Sequence, residues 1–320
     1  MSITEIMVGL LMAAGMLCAQ PQTPMLRTLY EQHLAEQQRE YGDLDAHTAG
    51  AARDLALFLR SHGDPDGAYA AMSQTVNIDE KVFGPAAPRT LADVADLASV
   101  APFADAGRLF ERAAKSSDAA AASRALVALG EMHAGQGDRE GAARYWRQAL
   151  AKQESAATGS ESENVAMILN VLAQAVDPAD AVPLLRRALA LDRKLFGPVH
   201  PEVGATDQLL AGALLRSGHA TDAVSPGREA LSILTLKLGP DHPRTVAATH
   251  TLAEVLRATR SFAEAELLYR QALAVDEKIF GPQHPATLDE IRTLAAFLRE
   301  RGKVAEAVVL ERRLVVNVAR

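Results

Sequence analysis

The chain has 320 residues, 48% hydrophobic and only 4% aromatic, with a formal net charge of −7. The acidic balance gives no support for nucleic-acid binding, which wants a basic stripe. Abundant alanine with so few aromatic residues points to closely approaching helices and away from a β-rich core.

The first 19 residues stand apart. Ile6 to Leu17 is an uncharged apolar run that ends at Cys18-Ala19, ahead of the polar Gln20-Pro21-Gln22-Thr23-Pro24. The run is too short to span a bilayer comfortably. Its length, with the small residue at Ala19, fits a cleaved secretory signal, although the residues before it carry Glu5 and no Lys or Arg. Residues 1–19 are therefore expected to be a signal and 20–24 a linker, with no membrane span once the signal is removed. Cleavage predicts an exported chain, periplasmic or secreted. Without it the chain is membrane-anchored or cytoplasmic. Cleavage after Ala19 also removes Cys18, the one cysteine.

From there the chain repeats. Glycine occurs at 42, 84, 197, 239 and 281, each after a hydrophobic or aromatic residue, and the steps 42→84, 197→239 and 239→281 are all 42 residues. A fixed period of this size marks a solenoid, in which each unit buries its apolar face only against its neighbours. In residues 242–281, Leu252, Ala253 and Leu256 share one helical face, and Phe262, Ala265, Leu268, Tyr269, Ala272 and Leu273 share another. The short link 258–261 makes the two helices antiparallel neighbours.

This unit recurs seven times. A small residue of the first helix stands at Ala56, Ala98, Gly130, Ala173, Ala211, Ala253 and Ala295. The small residue opening the second helix is Ala68, Ala106, Ala142, Ala181, Ala223, Ala265 and Ala307, and the filler between the helices is Met72, Phe110, Trp146, Leu185, Gly227, Tyr269 and Glu311. Glycine closes the first helix at 63, 137, 218 and 302, where a left-handed cap is needed, and Arg260 breaks that rule. Residues 29–42 align without a gap on 268–281, so an isolated second helix, 25–41, is expected to cover the N-terminal end of seven pairs spanning 43–320. In the second and fourth repeats the two alanines are eight residues apart instead of twelve, which predicts a lost helical turn. Ser155–Glu163 reads as a loop. Ser225-Pro226-Gly227 predicts a helix break and a void where an aromatic filler is wanted.

With these residues the chain resembles the tetratricopeptide repeat family, in the 42-residue subtype found in kinesin light chains and in many bacterial proteins. The linkers Gly197-Pro198-Val199-His200-Pro201, Gly239-Pro240-Asp241-His242-Pro243 and Gly281-Pro282-Gln283-His284-Pro285 carry the resemblance, with Glu264–Leu273. It implies an all-α, right-handed superhelical solenoid whose first helices line a concave groove for peptides or partner proteins. HEAT and armadillo repeats share the period but not this alanine pattern or the His-Pro linker. In kinesin light chains asparagine in the groove holds a peptide backbone. Here Asn170 keeps that position, while Arg53, Arg124-Ala125, Gln208, His250 and Arg292 lie at or near it.

Three readings of chemistry give way to structural ones. His200, His242 and His284 recur one repeat apart, whereas zinc ligands converge about 2 Å from one ion, so they shape the linker. Gly135–Gly141 has the wrong spacing for a dinucleotide loop and reads as a turn. Asp79-Glu80 and Asp276-Glu277 read as a solvated face of the second helix. No catalytic, cofactor-binding or metal motif is found, and no cofactor is expected. The candidate peptide-binding residues are Asn170 and the cations Arg53, Arg60, His250, Arg257, Arg292 and Arg299. Seven-residue pairs among these cations fall on one helical stripe, which predicts a partly basic groove for an acidic or C-terminal carboxylate-bearing peptide. The apolar Val308–Val318 helix with no cap after it predicts end-to-end homodimerisation or docking on a partner. The expected function is a non-enzymatic binding scaffold. The alternative is an accessory subunit of an envelope assembly or enzyme complex without catalysis of its own.

Overall fold

The computed structural model describes residues 22–155 and 162–315. The expected signal and most of the expected loop at 155–163 lie outside the described residues. Among the described residues every regular element is an α-helix. Helix α1 (Gln22–Tyr41) precedes seven helix pairs: α2 (Ala46–Ser61) with α3 (Pro65–Val82), α4 (Pro88–Val100) with α5 (Phe103–Ala113), α6 (Ala119–Gly135) with α7 (Arg139–Ser155), α8 (Glu163–Ala175) with α9 (Pro178–Phe196), α10 (Pro201–Arg216) with α11 (Ala220–Leu238), α12 (Pro243–Ala258) with α13 (Phe262–Phe280), and α14 (Pro285–Glu300) with α15 (Val304–Val315). Helix α1 begins at Gln22, so the segment expected as a linker is helical from there. The chain divides into two compact units, 1–129 and 130–320, with the division inside α6.

The helix ends follow from their sequences. His200, His242 and His284 are N-cap residues, and each imidazole Nδ1 accepts from a backbone N–H two residues on, at 3.2, 3.1 and 3.3 Å. Proline then occupies the first helical position, where no N–H is missed. His200 and His284 also stack on Phe196 and Phe280 with centroids 4.6 Å apart. The histidines are therefore linker parts. Asp138 closes the Gly135–Gly141 turn by accepting from the Gly141 N–H at 2.8 Å.

Helices α4 and α8 are 13 residues long, against 16 for α10, α12 and α14, as the shortened alanine spacing predicts. Arg260 adopts φ +62°, the left-handed conformation that glycine supplies at the same place in other repeats. The repeat rule is kept in geometry and broken only in residue type.

The cores are alanine-spaced. Ala56, Ala98, Ala173, Ala211, Ala253 and Ala295 are all buried, as are their second-helix counterparts. Gly130 stands in this series because Trp146 lies opposite it: a Cβ built there would meet the indole Nε1 at 2.2 Å. The break and void expected near Pro226 are absent. Helix α11 runs unbroken through Pro226. Leu252 of the next repeat occupies the space at Gly227, where an added Cβ would lie 3.1 Å from its Cδ1. The filler is supplied from the neighbouring unit instead of the repeat's own second helix.

Candidate functional site

In the C-terminal unit each first helix keeps one stripe out of the core. The stripe carries Asn170 and Gln174 on α8, Gln208 and Gly212 on α10, His250, Thr251 and Glu254 on α12, and Arg292, Thr293 and Ala296 on α14. Three- and four-residue spacing puts each set on one side of its helix. Side-chain bonds between neighbouring first helices join the stripes into a shared face. Asn170 donates to Thr206 Oγ1 at 2.8 Å, Gln208 to Thr251 Oγ1 at 3.0 Å, and Arg257 to Glu300 at 3.2 Å. Between α6, α7 and α8 this face opens into a cavity of about 340 Å³, lined by Trp146, Ala134, Val171 and Gln174 among others. Arg139, also in the lining, donates to the Gln174 carbonyl at 3.2 Å.

The expected cations lie on the first helices, and the five arginines among them have partners within the chain. Arg299 makes two 2.6 Å bonds to Glu311, the residue that stands where the last repeat wants an apolar filler. Arg257 pairs with Glu254 at 3.3 Å as well as with Glu300. Arg292 pairs with Asp289 on its own helix. In the N-terminal unit Arg60 donates to Ser99 Oγ at 3.2 Å, and Arg53 bonds Asp93 at 2.5 Å and lies 3.6 Å from Asp79. Asn170 uses its amide nitrogen on Thr206, and its buried Oδ1 has no hydrogen-bond partner.

Carboxylates buried where a second helix meets the next first helix were not anticipated. Asp79 and Asp276 are fully or almost fully buried, at 0% and 7% exposure, and do not form a solvated face. Glu80 and Glu277 do face outward, where they pair with Arg112 and Arg313. Asp192 is the third member, accepting from Thr206 Oγ1 at 2.7 Å. All three stand four residues after Thr75, Ala188 or Ala272, the position seven residues beyond the small residue that opens each second helix. That recurrence was the available signal. A solvent-facing acid has no reason to return at one repeat position.

Each buried carboxylate faces a residue 14 positions later on the following first helix: Asp93, Thr206 and Glu290. Burial, reinforced by Asp79 and opposed by Arg53, pushes the Asp93 carboxyl up to about 7. Burial, with the charges of Asp276 and Glu254, pushes Glu290 up to about 7. Asp207, buried 3.3 Å from Arg193, is raised to about 6. Among the described residues no group of three or more His, Cys, Asp or Glu could hold a metal ion, and no helix is long and apolar enough to cross a membrane.

Tetratricopeptide repeat profiles match residues 228–278 and 244–315, and others of the same description match 123–157 and 165–202, together about half of the chain. The chain belongs to the tetratricopeptide repeat family. No curated protein matched the sequence. Among solved structures, the kinesin-light-chain TPR-like repeats of Podospora anserina are 26% identical, with a TM-score of 0.53, over 60% of this chain and 93% of that one. BtubC from P. vanneervenii is similar over 68% of this chain and 89% of its own, with 17% identity and a TM-score of 0.57. A Rap protein complexed with Competence and Sporulation Factor covers 90% of this chain and 75% of its own at 13% identity, with a TM-score of 0.53. The repeats are thus kinesin-light-chain-like tetratricopeptide repeats in an all-α repeat fold.

Proposed function

We propose that this tetratricopeptide repeat protein is a non-enzymatic scaffold that captures a peptide or an extended segment of a partner protein across the shared face of α8, α10, α12 and α14. The observation that carries it is the bonding of neighbouring first helices through Asn170–Thr206 and Gln208–Thr251, which anchors the Asn170 and Gln208 amides with a spacing set by helix packing. Such groups suit a guest backbone that offers N–H and C=O groups all along its length. The structurally similar Rap protein was solved with Competence and Sporulation Factor, and that complex supports the reading.

An acidic guest has less support. The arginines expected to attract it are engaged by Glu254, Glu300, Glu311 and Asp289. Homodimerisation through α15 is a separate reading, supported by its exposed Val304 and Val309, and molecular mass across a concentration series tests it. Export, and a role as an accessory subunit at the envelope, stand as proposals on the sequence of residues 1–19 alone.

The test of capture is steric. Peptides selected from a random display library on the wild-type protein should lose binding to Gly212→Arg. There the new side chain fills the open face and displaces only the flexible Arg216 guanidinium. They should keep binding to Leu236→Arg, whose site on α11 is 72% exposed. Equal binding to both variants removes the proposal.

A further inference from the structure

The junction between the sixth and seventh repeats holds an acidic pair without the cations that neutralise the same pair elsewhere in the chain. At the first such junction Asp79 and Asp93 are embraced by two guanidinium groups. Arg89 bonds Asp79 at 2.9 Å, and Arg53 bonds Asp93 at 2.5 Å. Asp276 and Glu290 repeat that pair with the same 14-residue separation. The position of Arg89, ten residues after the aspartate, is Ala286. The position of Arg53, forty residues before the second acid, is His250. His250 is shorter than arginine, and its Nε2 stops 3.9 Å from Glu290 Oε2, beyond hydrogen-bond reach.

Glu290 is consequently left incomplete. Its side chain is 9% exposed, and its buried Oε1 has no hydrogen-bond partner. A carboxylate in that condition costs more than one in water unless a cation or donor arrives to complete it. The approach is from the binding face. His250 lies on the open stripe of α12, 40% exposed. The position it occupies is the one from which, in the N-terminal unit, Arg53 inserts its guanidinium. The chain therefore carries its own example of the chemistry that fits: a planar guanidinium, held by two carboxylates.

We propose that Glu290 and Asp276, entered past His250, form a subsite for the guanidinium of an arginine side chain on the captured polypeptide. This deepens, and rests on, the reading of the first-helix face as a polypeptide-binding surface. Binding requires the ionised Glu290. The groups around it are Asp276 and the Tyr269 hydroxyl on α13, Glu254, His250 and Arg257 on α12, and His284 in the linker. Burial, and after it the charges of Asp276 and Glu254, hold its proton on, so a guest cation has to displace that proton. Affinity for the cation rises with pH between about 6 and 8.

The experiment uses the full chain and two small probes. One is arginine blocked at both ends (N-acetyl-arginine amide), and the other is the equivalent citrulline compound, which has nearly the same shape and no charge. Nuclear magnetic resonance titration should show saturable shifts of residues in α12–α14 with the arginine probe, stronger at pH 8 than at pH 6, and none with citrulline. Glu290→Gln should weaken arginine binding at least tenfold while leaving the circular dichroism spectrum unchanged. A second protein, His250→Arg with Ala286→Arg, transplants the cations of the first junction. It should bind no arginine probe and melt at a higher temperature than wild type. Equal response to arginine and citrulline, or undiminished arginine binding in both variants, overturns the proposal. The display-selected peptides separate the two readings. If selected peptides bind the face but the arginine probe does not, the subsite falls and the scaffold stands. If the probe binds at α12–α14 and no peptide is captured, the subsite stands and the scaffold falls.

Discussion

Gly130→Ala is the substitution at which local and tertiary physics disagree most clearly. Gly130 lies inside α6, where replacing glycine by alanine in a helix interior stabilises by about 1 kcal/mol on backbone grounds alone. Opposite it, an added Cβ would stand 2.2, 2.5 and 2.7 Å from three atoms of the Trp146 indole. Ordinary carbon contacts lie at about 3.5–4.0 Å, so the ring or the helix must retreat by about 1 Å. Trp146 is 5% exposed and has little room to move. Overpacking of this kind costs about 1–3 kcal/mol, which outweighs the helix gain and leaves a net loss of about 1 kcal/mol. With Leu at 146, the pairing becomes the one found between Ala173 and Leu185 in the next repeat, both buried. In that background Gly130→Ala should stabilise by about 0.5–1 kcal/mol. Urea unfolding followed by circular dichroism at 222 nm reads all four proteins of the cycle, including those without tryptophan. The same sign for Gly130→Ala in both backgrounds would refute the size-matching argument.

Arg260→Gly should raise stability by about 1 kcal/mol, because φ +62° strains a side chain and not glycine. A melting temperature unchanged or lowered would show that Arg260 makes a compensating interaction. Stability should also depend on pH through the buried acids. Glu290, raised to about 7 from an unfolded value near 4.3, contributes fully below about pH 4.5, and that contribution is lost as pH rises through 7. Denaturation at pH 5 and pH 8 should therefore find Glu290→Gln less pH-dependent than wild type, and more stable than wild type at pH 8. An unchanged slope would place the titration elsewhere, for instance at Asp93, which is raised to about 7 in the N-terminal unit.

The repeat, the pairing of helices and most of their ends were legible because one physical requirement recurs at fixed spacing. Close helix crossing needs alanine, left-handed closure needs glycine, and the linker needs a capping side chain followed by proline. Even the shortened α4 and α8 were visible in the alanine spacing. What failed to show was anything decided between repeats. Leu252 fills the space at Gly227 from the next unit, so the expected void required knowledge of three helices at once. Asp79 and Asp276 look like surface acids when a single helix is inspected, and are buried because the following first helix covers them. The candidate arginines lie on first helices, and some of their partners, such as Glu311 for Arg299, come from helices that sequence reasoning treats separately.

Amide hydrogen exchange of the full chain, with and without a peptide selected on it, tests the binding face most directly. The account predicts slowed exchange concentrated in the first helices α8, α10, α12 and α14, around residues 167–174, 205–212, 247–254 and 289–296. Slowing confined to the second helices α9, α11 and α13, with the first helices unaffected, would contradict it.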